Sequence, residues 1–147
     1  MTVKPLKLLF IGAGGVGGYY AARLASAGHH VVVTARGPHL DAIQRHGLEV
    51  IHEGQKLHCT PPAVDHDSLK STYAADDFDL VIVTVKSTAT QTLMEDLGPW
   101  MVEGTVPILS LQNGVDNEPA IAEVVSENRV LGGLAVRIGG HIQEPGK

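Results

Sequence analysis

The chain has 147 residues, the size of one ordinary domain and short for a two-domain enzyme. Hydrophobic residues make up 44% and charged residues 18%, a composition that can bury a core and that excludes extended disorder. The formal net charge of −5 comes with no basic block, which argues against a phosphate-backbone footprint and hence against nucleic-acid binding. No apolar run reaches the ~18 residues of a membrane span. Met1-Thr2-Val3-Lys4-Pro5 leads straight into a strand with no signal-peptide apolar region. Cys59 is the single cysteine, so no internal disulfide can form. A cytoplasmic protein with no membrane partner is expected.

Taken in chain order, residues 7–11 read as a buried strand, followed at once by glycines. Residues 16–27 read as a helix with Val16, Tyr20, Leu24 and Ala27 on one stripe, stopped by Gly28. Residues 30–35 form a second short strand, 40–46 a short helix ended by Gly47, and 48–53 and 56–60 two strands around a turn at Gly54. Pro61-Pro62 interrupts regular structure, and the stretch from about 52 to 76 has no clear pattern. Residues 79–85 give the clearest strand, 88–97 a helix ending before Gly98-Pro99, and 106–111 another strand. Ile121, Val124 and Val125 mark a helical face, and 130–138 a last strand interrupted by Gly132-Gly133. Strands alternating with helices predict an α/β fold: a Rossmann-type, doubly wound parallel sheet in a single domain spanning 1–147.

Gly12-Ala13-Gly14-Gly15-Val16-Gly17 is a G-x-G-x-x-G between a predicted strand and a predicted helix. That context gives the pattern its meaning. The first glycine permits a sharp turn, the second lets backbone approach a pyrophosphate, and the third lets helix and strand pack closely. The helix N-terminus then offers free N–H groups and a positive dipole end to phosphate. Dinucleotide-cofactor binding is expected here.

The end of the second strand selects the cofactor, because an acidic residue there would hold the 2′-hydroxyl of NAD. This chain has Thr34-Ala35-Arg36 instead. A guanidinium can pair with a 2′-phosphate as a planar fork and stack on adenine, so NADP(H) is the expected cofactor. Lys86 closes the fourth strand and Asn113 the fifth, at the carboxyl ends where open α/β sheets bind ligands. The ammonium of Lys86 could attract a carboxylate or polarise a carbonyl, an assisting role in catalysis. Asn113 could donate to and accept from ribose or substrate.

The glycine loop, Gly28-His29-His30-Val31, Arg36, Gly47-Leu48, Val85-Lys86, Gln112-Asn113-Gly114-Val115 and Pro145-Gly146 together resemble the NADP-binding domain of ketopantoate reductases (2-dehydropantoate 2-reductases). The resemblance covers the whole chain. It implies NADPH-dependent reduction of ketopantoate, a small 2-oxo acid, to pantoate in pantothenate and coenzyme A biosynthesis. It also implies that Lys86 and Asn113 contact cofactor and substrate, and that Gly140 approaches the cofactor. The family carries its general-acid lysine in a helical C-terminal domain, and this chain stops before it, so the chain alone is expected to be incomplete for catalysis.

Two further readings stand beside this one: a stand-alone nucleotide-binding regulatory module, and the cofactor domain of another two-domain dehydrogenase. A short-chain dehydrogenase is excluded, since no tyrosine is followed by lysine at the Tyr-x-x-x-Lys spacing. His52, His58, Cys59 and His66 lack the paired spacing of a zinc site, so no metal is expected. Asp76, Asp77 and Asp79 read as a solvated turn. An unpaired strand edge near 130–142 would favour self-association, and a homo-oligomer is expected.

Overall fold

The computed structural model describes residues 4–112, 116–133 and 142–147. Strands β1 (Lys7–Ile11) and β2 (His30–Thr34) form where apolar residues run without alternation, and four residues of each are buried. Such strands must be covered on both faces. They belong to a six-stranded sheet with β5 (Ala63–Val64), β6 (Leu80–Val83), β7 (Ile108–Ser110) and β8 (Val130–Gly132), in the order β5-β2-β1-β6-β7-β8. Every pairing in it is parallel. This is the doubly wound order, and the strand sequence reverses between β1 and β6.

Two apolar layers sandwich the sheet. Leu8, Phe10, Val31, Val33 and Ile82 face α1 (Gly15–Ser26) and α2 (Gly37–His46). Leu9, Ile11, Val81, Val83 and Ile108 face α3 (His66–Thr72), α4 (Thr90–Val102) and α5 (Asn117–Val125). The hairpin β3 (Leu48–His52) with β4 (Gln55–Cys59) stands outside the main sheet and packs against α1. Its two-residue turn, Glu53-Gly54, has both φ angles positive (49° and 77°), the twist that a tight hairpin demands. Among the described residues no helix is long and apolar enough to cross a membrane.

Several expectations are corrected. Of the stripe predicted for α1, Tyr20 and Leu24 pack half-buried against the core, but the fully buried face is Gly17, Gly18, Ala21 and Ala22, and Ala27 is exposed. The helix lies too close to the sheet for large side chains, which are left at its flanks. Gly28 does end it, at φ 99°: His29 N–H bonds the Leu24 carbonyl and Gly28 N–H the Ala25 carbonyl, the paired bonds that satisfy a helix C-terminus. Helix α4 does not stop at residue 97; it continues through Gly98-Pro99 to Val102. Pro99 lacks one helical N–H, but Leu97, Trp100 and Met101 on either side are buried in the core and hold the segment helical. The patternless stretch contains β5 and α3, the latter capped by Asp65 accepting from Ser68 N–H at 2.7 Å. The expected strand 130–138 is seen as Val130–Gly132, with 134–138 outside the described residues.

The three aspartates are exposed, yet they are not a merely solvated turn. Asp76 accepts from the backbone N–H of Thr105 (2.7 Å) and Val106 (2.9 Å), Asp77 from Ala74 N–H, and Asp79 from Lys7 N–H. They hold loop backbone to strand starts. The Thr105 bond, with that from Val106 and the nearby charge of Arg129, holds the Asp76 carboxyl below the usual carboxylate range. A carboxylate whose pKa is depressed by folding stabilises the fold above its unfolded pKa of about 4, and that stability is lost as pH falls through the folded value. Asp96, bonded to Lys70 and His66, acts in the same direction. Asp76→Asn is therefore expected to lower the melting temperature at neutral pH and to flatten its fall below pH of about 4, with Asp96, Asp65 and Glu144, whose carboxyls are also held low, supplying the slope that remains. Thermal melts of the two chains across that range check this; superimposable profiles would refute it.

Candidate functional site

The glycine loop lies at the carboxyl end of β1, at the point where the strand order reverses. Gly12 adopts φ 104°, which an L side chain tolerates poorly, and a Cβ on it would stand 3.1 Å from Val85 Cγ1 and 3.2 Å from Thr84 Oγ1. At Gly17 the crowding is more severe: a Cβ would fall 2.1 Å from the Gly12 carbonyl oxygen. Gly14 differs from both. Its φ of −78° is ordinary, and a Cβ there would meet nothing within 4 Å among the described residues. It is the N-cap of α1 and offers no side chain to the orphan amides of the first turn. Those amides, the helix dipole and the open approach at Gly14 make a cradle that fits a pyrophosphate.

Threonines and a histidine fasten this loop. Thr34, buried at the end of β2, accepts from Gly12 N–H at 3.0 Å. Thr84 donates to the carbonyls of Gly12 (2.8 Å) and Ile11 (3.1 Å). His39 in α2 accepts from Gly146 N–H on Nδ1 (2.9 Å), so its proton resides on Nε2, which donates to the Ala13 carbonyl at 2.6 Å. The structure thus ties the glycine loop to the ends of β2 and β6 and to the segment 142–147.

Arg36 is exposed and caps α2, between Thr34 and His39, both bonded to the loop. Lys86 is likewise exposed and precedes a single 3-10 turn, Ser87–Ala89. It lies three residues beyond β6, so it follows that strand rather than closing it. Neither cation has an ion-pair or side-chain hydrogen-bond partner among the described residues. Val85, next to Lys86, is the residue that a Gly12 side chain would strike, so the Lys86 loop and the glycine loop are immediate neighbours. Asn113 and Gly140, the other expected cofactor contacts, lie outside the described residues.

Sequence reasoning assigned no role to Gln112. It is 4% exposed and sits at the hub of a buried polar network. Its Nε2 donates to the Val85 carbonyl (2.9 Å) and to Thr90 Oγ1 (2.7 Å), while its Oε1 accepts from Ser110 Oγ (3.0 Å). Thr90 in turn donates to Asn117 Oδ1 at 2.9 Å. Because a carbonyl can only accept, the Val85 contact settles which end of the Gln112 amide is nitrogen. The signal available beforehand was a glutamine beside Asn113 at a strand end.

A separate cavity of about 130 Å³ opens beside Gly14 and Gly15 and is walled by Tyr19, His52 and Ile142. It is smaller than the ~300 Å³ of ordinary ligand pockets, and it touches neither Arg36 nor Lys86.

Residues 8–147 match the sequence model of the family "Ketopantoate reductase PanE/ApbA". A 2-dehydropantoate 2-reductase of Pyrococcus horikoshii is 33% identical over 141 residues, which is 96% of this chain and 43% of that protein. Among solved structures, a PanE/ApbA family ketopantoate reductase from Ralstonia eutropha superposes with a TM-score of 0.80 at 31% identity, covering 96% of this chain and 45% of that one. A D-mandelate dehydrogenase solved with NADH and anilino(oxo)acetate shares the fold, with a TM-score of 0.81 at 23% identity over 96% of this chain and 44% of its own. The chain spans less than half the length of the curated relatives it matches. With a doubly wound sheet, a glycine loop at its switch point and a family match over residues 8–147, this chain belongs to the ketopantoate reductase family of oxidoreductases.

Proposed function

We propose that this chain is the NADP(H)-binding domain of a 2-oxo acid reductase acting on ketopantoate. The observation that carries the cofactor assignment is Arg36: exposed, without a partner among the described residues, and flanked by two residues bonded to the phosphate loop. At that place a guanidinium has a 2′-phosphate to pair with, and a ribose 2′-hydroxyl finds no acid. The D-mandelate dehydrogenase neighbour was solved with NADH, so the choice between the two nicotinamide cofactors rests on this local chemistry rather than on the fold.

NADPH supplies, when bound, the hydride that turns a 2-oxo group into a secondary alcohol. The chain's own residues do the holding. The α1 N-terminus receives the pyrophosphate, Arg36 the 2′-phosphate, and Lys86 offers an ammonium at the neighbouring loop both to the nicotinamide half of the cofactor and to the substrate's carboxylate or carbonyl. Asn113, next to Gln112, completes the expected contacts with cofactor and substrate.

The test is a pair of titrations. NADPH is expected to bind about 10–100-fold more tightly than NADH, because a charge-assisted phosphate contact is worth ~1.5–3 kcal/mol. Arg36→Ala is expected to remove most of that preference and leave NADH binding nearly unchanged. Equal dissociation constants for the two cofactors in the parent chain would overturn the assignment.

A further inference from the structure

We propose that Gln112 is a positioning residue that holds Lys86 at a set place over the cofactor crevice; this rests on the cofactor reading above. Its side-chain Nε2 donates to the Val85 carbonyl at 2.9 Å. That carbonyl belongs to the peptide joining Val85 to Lys86. The second Nε2 bond, to Thr90 Oγ1 at 2.7 Å, grips the other end of the same loop at the start of α4. One amide group therefore clamps both ends of the segment that carries Lys86. Between those ends the segment turns through Ser87–Ala89, with Ala89 N–H bonded to the Lys86 carbonyl.

The clamp is itself held. Ser110, fully buried at the end of β7, donates to Gln112 Oε1, and Asn117 at the start of α5 accepts from Thr90. Gln112, Thr90, Ser110 and Asn117 are all buried. Water is thus kept from the bonds among these four side chains, the Val85 bond is partly buried, and the directions of the bonds are determined by three secondary-structure elements. A long lysine exposed at a strand end has several rotatable bonds, and its backbone origin decides which part of the crevice the ammonium can sweep. The network fixes that origin. Since Gln112 is followed directly by Asn113 in the chain, the same residue links the two segments that bear the expected polar contacts with cofactor and substrate.

The experiment is a double-mutant cycle on the 147-residue chain, reading NADPH affinity by calorimetric titration. Lys86→Ala, Gln112→Leu and the double variant are compared with the parent. Gln112→Leu is expected to weaken NADPH about five- to tenfold in the parent and less than about twofold once Lys86 is absent. Amides 86–89 are expected to exchange hydrogen faster in Gln112→Leu, while β7 keeps its protection. If Gln112→Leu does not fold, Thr90→Val carries the same expectation, because it removes one clamp bond at nearly constant volume. Equal losses in both backgrounds would show a general packing role and overturn the proposal. So would a Lys86→Ala chain that binds NADPH as the parent does, since Gln112 would have nothing to position. A parent chain that binds no NADPH overturns the cofactor reading itself, and this proposal with it.

Discussion

Gly14→Val is expected to yield a folded chain that no longer binds NADPH. The backbone at Gly14 has a φ of −78°, so valine can occupy it, and its Cβ would meet no atom of the described residues within 4 Å. The fold therefore loses only the difference between glycine and a poor N-cap residue, about 1 kcal/mol. The space the side chain takes is the approach to the first-turn amides of α1. Losing two charge-assisted contacts to phosphate at ~1.5–3 kcal/mol each weakens binding by at least about 100-fold. Calorimetry with NADPH measures the loss, and circular dichroism with a thermal melt confirms the fold. Retained affinity would reduce this loop to a turn with no ligand.

Gly17→Ala is expected to do the opposite and damage the fold itself. In a helix interior, alanine for glycine normally stabilises by roughly 0.5–1 kcal/mol. Here the added methyl would stand 2.1 Å from the Gly12 carbonyl oxygen and 2.4 Å from Thr84 Oγ1. The first is backbone, held by the Thr84 hydroxyl at 2.8 Å, and cannot rotate away. Overpacking of movable side chains costs about 1–3 kcal/mol, so a clash with fixed backbone lies at or beyond that upper end. A drop in melting temperature of about 10 °C or more is expected for a chain of this size. The sign is the diagnostic: a stabilised Gly17→Ala chain would mean that α1 does not press on the β1 turn as the structure shows. Two glycines three residues apart are thus expected to separate two demands, one set by the proposed cofactor and one by the helix–strand contact.

Much of this architecture was legible before any coordinates. Strands β1, β2 and β6 are unbroken apolar runs, and such runs are buried wherever they fall. Gly28, Gly47 and Gly54 end elements at positive φ, a local requirement that the residue type announces. The glycine motif between a strand and a helix named the fold. Arg36 and Lys86 could be placed at strand ends by chain order alone. These features need only a residue and its near neighbours.

What the tertiary structure decided depends on contacts between distant parts of the chain. Strand β5 is two residues long and exists because Val33 and Thr34 pair with it. Helix α4 runs past Pro99 because buried residues on either side of it outweigh one missing hydrogen bond. The small-residue face of α1 is buried because the glycine loop draws the helix close to the sheet. Asp76 reaches 29 and 30 residues along the chain for its amides, and Gln112 reaches back 27 residues to the Val85 carbonyl. A polar side chain in the sequence carries no mark of whether its partner is water or a distant peptide group. Only the fold brings such partners within hydrogen-bond distance, and so the residues that hold the loops in place came from the structure, whereas the loops themselves could be read from the sequence.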